Sequence, residues 1–252
     1  MGVDADMLAD VVAEAQRLLR RAEQADIPVR LIGGVAVRLH VADLPPAFRR
    51  EVRDIDLVTR RNSARRLSEL LEREGYEPDQ TFNSLHGAHR MLFYDRVHER
   101  QLDVFVNGFK MCHVLPIVEL LEEQPHTVTL ADLLLTKLQI YALNLKDRHD
   151  AYALLLEHEL GAGDSERVDV QRIARLCATD WGLFRTVTLN FERLRIGLED
   201  TPLTSEQRAR LEARIVEIVV ALHAAPKGAK WRMRARVGDR VQWYEEPDEI
   251  NE

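Results

Sequence analysis

The sequence predicts an α+β protein: a small mixed β-sheet domain of α/β character followed by a helical C-terminal domain. Two observations lead there. Short apolar runs that alternate or read as buried strands occur in the first half, at residues 29–32, 52–58, 90–94 and 101–106. From Thr129 onward the chain is Leu-rich at helical spacing, and no strand pattern returns before residue 225. A composition of 46% hydrophobic and 31% charged residues over 252 positions is that of an ordinary globular chain with apolar surface for one large or two modest cores. The expected divisions are 1–125 for the α/β part with its N-terminal helix, 126–225 for a helical bundle, and 226–252 for a hairpin and tail.

Residues 4–25 place Met7, Leu8, Val11, Val12, Ala15, Leu18, Leu19 and Ala22 on one helical face, and Ile27-Pro28 stops that helix. Val29-Arg30-Leu31-Ile32 reads as a strand running into Gly33-Gly34, after which a helical pattern resumes. This turn either serves only as a tight bend or presents backbone N–H groups to a phosphate at a helix N-terminus. Leu44-Pro45-Pro46 lies in a loop leading to residues 52–58. Asn62 or Ser63 caps a helix that buries Leu67, Leu70 and Leu71 and closes at Gly75. Arg60, Arg61, Arg65 and Arg66 at its start read as a solvated face, with phosphate contact as the alternative.

Residues 76–99 read as antiparallel strand material around a loop at 83–89, whose His86 and His89 lack companions at zinc spacing. Residues 130–156 read as one long helix. Further helices begin at Asp164 or Ser165, at Thr179 or Asp180, and at Thr204, where Gln207 completes a capping box. Residues 230–237 and 240–244 alternate about Gly238-Asp239 and read as a hairpin. Its interleaved Trp and Arg either cover the main body or stack on bases.

The chemistry gathers at Val52-Arg53-Asp54-Ile55-Asp56-Leu57-Val58. In a strand Asp54 and Asp56 share a face, and two acids on a mostly buried strand need either a cation or basic partners. Gln101-Leu102-Asp103-Val104-Phe105-Val106 embeds a third acid, and if the two strands are neighbours three carboxylates converge.

Gly33-Gly34, Asp54-x-Asp56 and Asp103, in that order, resemble the nucleotidyltransferase fold of the DNA polymerase β superfamily. A helical stretch, Leu130-Ala131-Asp132-Leu133-Leu134-Leu135-Thr136-Lys137-Leu138 followed by Lys146-Asp147-Arg148-His149-Asp150, is similar to the AbiEii/AbiGii-type members. The resemblance spans roughly residues 27–156 and departs from the pattern in a long interval between Gly34 and Asp54. It implies transfer of a nucleoside monophosphate from an NTP to an acceptor hydroxyl. Asp54, Asp56 and Asp103 would be catalytic and hold two Mg²⁺ ions, with Mn²⁺ as a substitute. Gly33, Gly34, Lys137 and Asp150 would bind the nucleotide. The implied acceptor is RNA, tRNA included, or a protein, with a cognate antitoxin as partner. An aminoglycoside-type small molecule and a non-catalytic nucleotide-binding module are the alternatives.

A net charge of −7 argues against a surface coated for non-specific nucleic-acid binding, without excluding a local basic groove. No apolar run spans a bilayer, the N-terminus shows no signal-peptide or myristoylation pattern, and Cys112 and Cys177 lack metal spacing. The expectation is a cytoplasmic protein without membrane partners.

Overall fold

The structure, a computed structural model, describes residues 7–41, 45–162 and 166–246. The chain forms two compact units. The first comprises Met1–Ala42, Glu51–Lys110 and Pro116–Thr129, and the second Asp43–Arg50, Met111–Leu115 and Leu130–Glu252. The α+β class is as the sequence predicts.

The first unit begins with α1 (Val11–Gln24), whose N-cap Asp10 accepts the Ala13 N–H and which buries Ala15, Leu18, Leu19 and Ala22. Met7 and Leu8 precede the helix, and residues 4–6 of the expected span lie outside the described residues. β1 (Val29–Ile32) leads straight into α2 (Gly33–His40). β2 (Ile55–Thr59) is followed by α3 (Arg61–Arg73), which turns Leu67, Leu70 and Leu71 inward. The cap of α3 is Arg60, without a side-chain bond, rather than Asn62 or Ser63. β3 (Glu77–Pro78), α4 (Gln80–His86), β4 (Arg90–Asp95), β5 (Arg100–Val106) and β6 (Phe109–Lys110) complete the unit.

The sheet order is β1-β2-β5-β4-β3, with β2 and β5 parallel and the other pairs antiparallel. On the outer side of β1, Leu31 donates to His126 O at 2.8 Å and accepts from the Val128 N–H at 3.2 Å, so an extended segment closes that edge.

The stretch expected as strand-and-loop at 76–99 contains α4 instead. Asp79 caps it by accepting the Phe82 N–H, and a single polar cap outweighs the weak local pattern. Asn83 then presents its amide to β4: Oδ1 accepts the Leu92 N–H at 2.6 Å and Nδ2 donates to Leu92 O at 3.0 Å.

The second unit contains β7 (Val114–Leu115), α5 (Leu130–Leu138), α6 (Leu145–Glu157), β8 (Glu159–Leu160), β9 (Arg167–Val168), α7 (Val170–Thr179), α8 (Trp181–Gly197), α9 (Ser205–Ala224) and α10 (Ala229–Val237). The single helix expected over 130–156 is two. Asn190 of α8 donates to Leu138 O at 2.8 Å and Ile140 O at 2.7 Å, so the carbonyls freed where α5 ends are satisfied by a side chain. Asn144 then caps α6. Asp180 caps α8, and the Thr204–Gln207 capping box opens α9, both as expected. Asp164 and Ser165 lie outside the described residues, and α7 starts beyond them behind Asp169. Two-residue β8 and β9 pair in parallel, strands the sequence did not suggest. The expected hairpin at 230–244 is corrected to α10 and a short 3-10 turn, because Trp231 and Arg234, three apart, must both meet α8.

A buried ionic network holds α1 to α3 and the sheet. Glu14, fully buried, accepts from Arg17 Nε at 2.8 Å and Nη2 at 2.9 Å, from Tyr76 OH at 2.9 Å and from the Leu8 N–H at 3.0 Å. Arg17 also pairs with Glu74. Burial pushes the Glu14 carboxyl up, but the bonds from Arg17, Leu8 and Tyr76 outweigh it and hold the group below its ordinary 4.5. A carboxylate depressed by folding contributes stability above its unfolded value and loses it as pH falls through the folded one. Glu14→Gln is expected to cost about 2–4 kcal/mol near neutral pH. The wild-type advantage should shrink once pH drops below 4.5, as urea melts across that range would read.

Candidate active site

The sheet register sets one acid beside another. Asp56 on β2 lies opposite Asp103 on β5 in the parallel pair, and Ile32 on β1 lies opposite Asp56 from the other side. Paired residues project to the same face, so Asp56 and Asp103 are cross-strand neighbours. Ile55 and Leu57 alternate to the opposite face, and both are buried.

Gly33, the first residue of α2, adopts φ +68°, a conformation that disfavours any side chain. A Cβ built there would stand 1.9 Å from Asp56 Oδ2 and 2.8 Å from Asp56 Cγ. The Asp56 carboxylate therefore occupies the space a side chain at position 33 would take. Gly34 follows in the first turn of α2 and is buried, and the helix N-terminus carries no side-chain cap.

Asp103 is 2% exposed. Its Oδ1 accepts from Arg90 Nε at 2.7 Å and its Oδ2 from Gln101 Nε2 at 2.7 Å. The Arg90 guanidinium lies 5.7 Å from the Phe82 ring centre and 5.3 Å from that of Phe105, a cation–π seat that fixes the donor. No partner for Asp103 was expected from the sequence, although the two-residue spacing on one strand is a signal that could have found Gln101. Arg90 carried no such signal, because its role depends on the β4–β5 register.

Asp54 differs from expectation. The strand starts at Ile55, so Asp54 sits at its lead-in and is exposed. The structure thus brings together Gly33, Asp56 and Asp103, with Asp54 one residue before the strand. Among the described residues, no group of three or more His, Cys, Asp or Glu side chains is gathered closely enough to hold a metal ion. The donor set still suits a hard cation, since Asp56 and Asp103 offer carboxylate oxygens from adjacent strands. Both oxygens of Asp103 are at the same time bonded to nitrogen donors.

In the second unit, Lys137 on α5 is buried rather than solvated. Its Nζ meets Asp147 Oδ1 at 3.2 Å and Asp150 Oδ2 at 2.9 Å, so the two α6 acids do share a face. Arg50 Nη2 also reaches Asp150 Oδ2, at 2.8 Å, a partner the sequence did not indicate. Asn144 fixes Asp147 by donating to Oδ2 at 2.8 Å while accepting the Asp147 N–H.

The basic cluster at the start of α3 is a surface feature, with Arg60 paired to Glu122 and Arg65 to Glu69. His86 packs on Phe82 at 4.7 Å. The first unit also holds a cleft of about 820 Å³ lined by Arg20, Arg30, Arg66, Glu122 and His126, which contains none of the predicted site residues.

A family model described as an uncharacterised nucleotidyltransferase matches residues 8–148, more than half of the chain. The chain is similar to an antigenic nucleotidyltransferase-like protein from Paracoccidioides brasiliensis, at 14% identity over 87% of this chain and 94% of that one, with a TM-score of 0.40. It is also similar to a STING-associated CdnE c-di-GMP synthase from Capnocytophaga granulosa, at 10% identity over 84% and 79% of the two chains, with a TM-score of 0.29. None of the curated proteins matches.

The Gly33–Asp56 contact makes a double-mutant test direct. Gly33→Ala should cost about 2 kcal/mol or more, from the left-handed backbone and the collision with the carboxylate. Adding Asp56→Ala should restore part of that loss, giving a non-additive cycle in chemical denaturation.

Proposed function

This chain belongs to the uncharacterised nucleotidyltransferase family, and on that premise we propose that it moves a nucleoside monophosphate from an NTP to an acceptor hydroxyl, releasing diphosphate. The observation that carries the reading is Asp56 in register with Asp103 while its carboxylate fills the space beside Gly33. Asp54, Asp56 and Asp103 would hold a pair of Mg²⁺ ions, which when bound supply Lewis acidity at the phosphate and lower the pKa of a coordinated hydroxyl.

The chain's own residues do the rest. Gly33 and Gly34 offer backbone N–H groups at the start of α2 to the triphosphate, where the helix dipole favours anions. Asp103 orients the acceptor hydroxyl and takes its proton on the oxygen from which Arg90 or Gln101 withdraws. The acceptor oxygen bonds to the α-phosphorus as the bond from that phosphorus to the diphosphate oxygen breaks. Lys137 and Asp150 are proposed as nucleotide contacts of the second unit. Within that unit Lys137 holds Asp147 and Asp150, and Arg50 also holds Asp150. The acceptor is RNA or a protein, by resemblance to the AbiEii type with its antitoxin partner, or alternatively a small hydroxylated molecule.

One observation favours a second reading, a nucleotide-binding module without turnover: both Asp103 oxygens are already bonded. Incubation with Mg²⁺, each labelled NTP, total RNA, cell protein and an aminoglycoside mixture separates the readings. Transfer should appear in one fraction, and Asp56→Asn should reduce it about 10³-fold, or about 4 kcal/mol of barrier, with an unchanged melting temperature. NTP binding without any label transfer would establish the second reading instead.

A further inference from the structure

We propose that the outward face of α10 is a docking surface for an RNA strand. Residues 226–241 carry six basic side chains, Lys227, Lys230, Arg232, Arg234, Arg236 and Arg240, against one acid, Asp239, in a chain whose net charge is −7. That acid is neutralised within the protein, since Arg185 grips it through Nη2 at 2.6 Å and Nε at 2.9 Å.

The helix is held by one side and displays the other. Trp231 Nε1 donates to Cys177 O at 3.0 Å, and its ring lies 5.2 Å from that of Phe184. The Arg234 guanidinium sits 4.4 Å from the Trp181 ring centre and donates to Gly238 O and Val241 O, both at 2.8 Å. Lys227 is also used inward, donating to the carbonyls of Leu222 and His223 at the end of α9. With this stripe fixed, Lys230, Arg232, Arg236 and Arg240 are exposed, Arg232 while donating through Nη1 to Lys227 O at 2.8 Å, as are Met233 and Val237.

Among the described residues, none of these four cations is paired with a carboxylate. Arg232 and Arg236, one turn apart, repel each other along the same face. An array of like charges on a rigid, outward helix in an otherwise acidic protein is complementary to a polyanion. Exposed apolar side chains between the cations, Met233 and Val237, can lie against the faces of unpaired bases. An RNA single strand offers both features together.

The surface is independent of the chemistry proposed above, so each reading can fail without the other. The full chain is titrated with a fluorescent single-stranded RNA of mixed sequence, and in parallel with duplex DNA and with phosphatidylserine vesicles. Wild type should bind RNA with a log–log salt slope of about −2 to −3, as expected for three to four phosphate contacts. The triple reversal Lys230→Glu, Arg232→Glu, Arg236→Glu should weaken binding at least about 30-fold, and Arg236→Ala alone should reduce the slope by about 0.7. Reversal of Arg65 and Arg66 on α3 should change nothing. Circular dichroism and an unchanged NTP affinity of the triple variant keep folding and the nucleotide site out of the result. The proposal is overturned by absent RNA binding, by a triple variant that binds as wild type does, or by tighter binding to vesicles or duplex DNA than to RNA.

Discussion

A nearly buried carboxylate on a central strand has to be compensated, and the first unit is arranged around that demand. Asp103 could not remain at 2% exposure as an unpaired charge. Arg90 on the antiparallel neighbour and Gln101 on the same strand each give it a bond, and two aromatic rings hold Arg90 in place. On the other side the parallel partner strand brings Asp56 level with it. Two acids at one level repel, and the sheet tolerates them because one is neutralised in place while the other leans into the gap left by Gly33. The register, the left-handed glycine and the arginine seat express a single electrostatic constraint.

The second unit meets a similar demand by different means. Lys137, Asp147, Asp150 and Arg50 form a chain of alternating charge in which each buried group has an opposite neighbour. Such an arrangement fixes α5 against α6 more than it adds net stability, because desolvation consumes most of the attraction. Removing one member is costly for the same reason, since it strands the next.

Much of this was readable in the chain. The Asp-x-Asp segment, the Gly-Gly turn and the Asp103 strand stood out because acids and glycines interrupt otherwise apolar runs, and the caps at Asp180 and Thr204 carry their own local chemistry. What escaped depended on partners distant in sequence. Arg90 gains its meaning from a register that alternation cannot set. The break between α5 and α6 is satisfied by Asn190, some fifty residues on. At residues 230–237 a two-residue alternation pointed to strands, yet Ala, Lys, Arg and Met are good helix formers, and the anchors Trp231 and Arg234 have helical spacing. Asp54 was placed inside a strand that begins one residue later, which leaves it exposed while Ile55, next in sequence, is buried.

The amide of Asn83 carries a last implication, for the behaviour of the protein at high concentration. It bonds both main-chain groups of Leu92, whose carbonyl also accepts the Asp79 N–H, just past a β3 that is only two residues long and contains Pro78. An incoming strand from a second molecule would find that position already filled and the adjoining residue without an N–H to donate. That position on β4 is closed to strand addition by a side chain from a seven-residue helix.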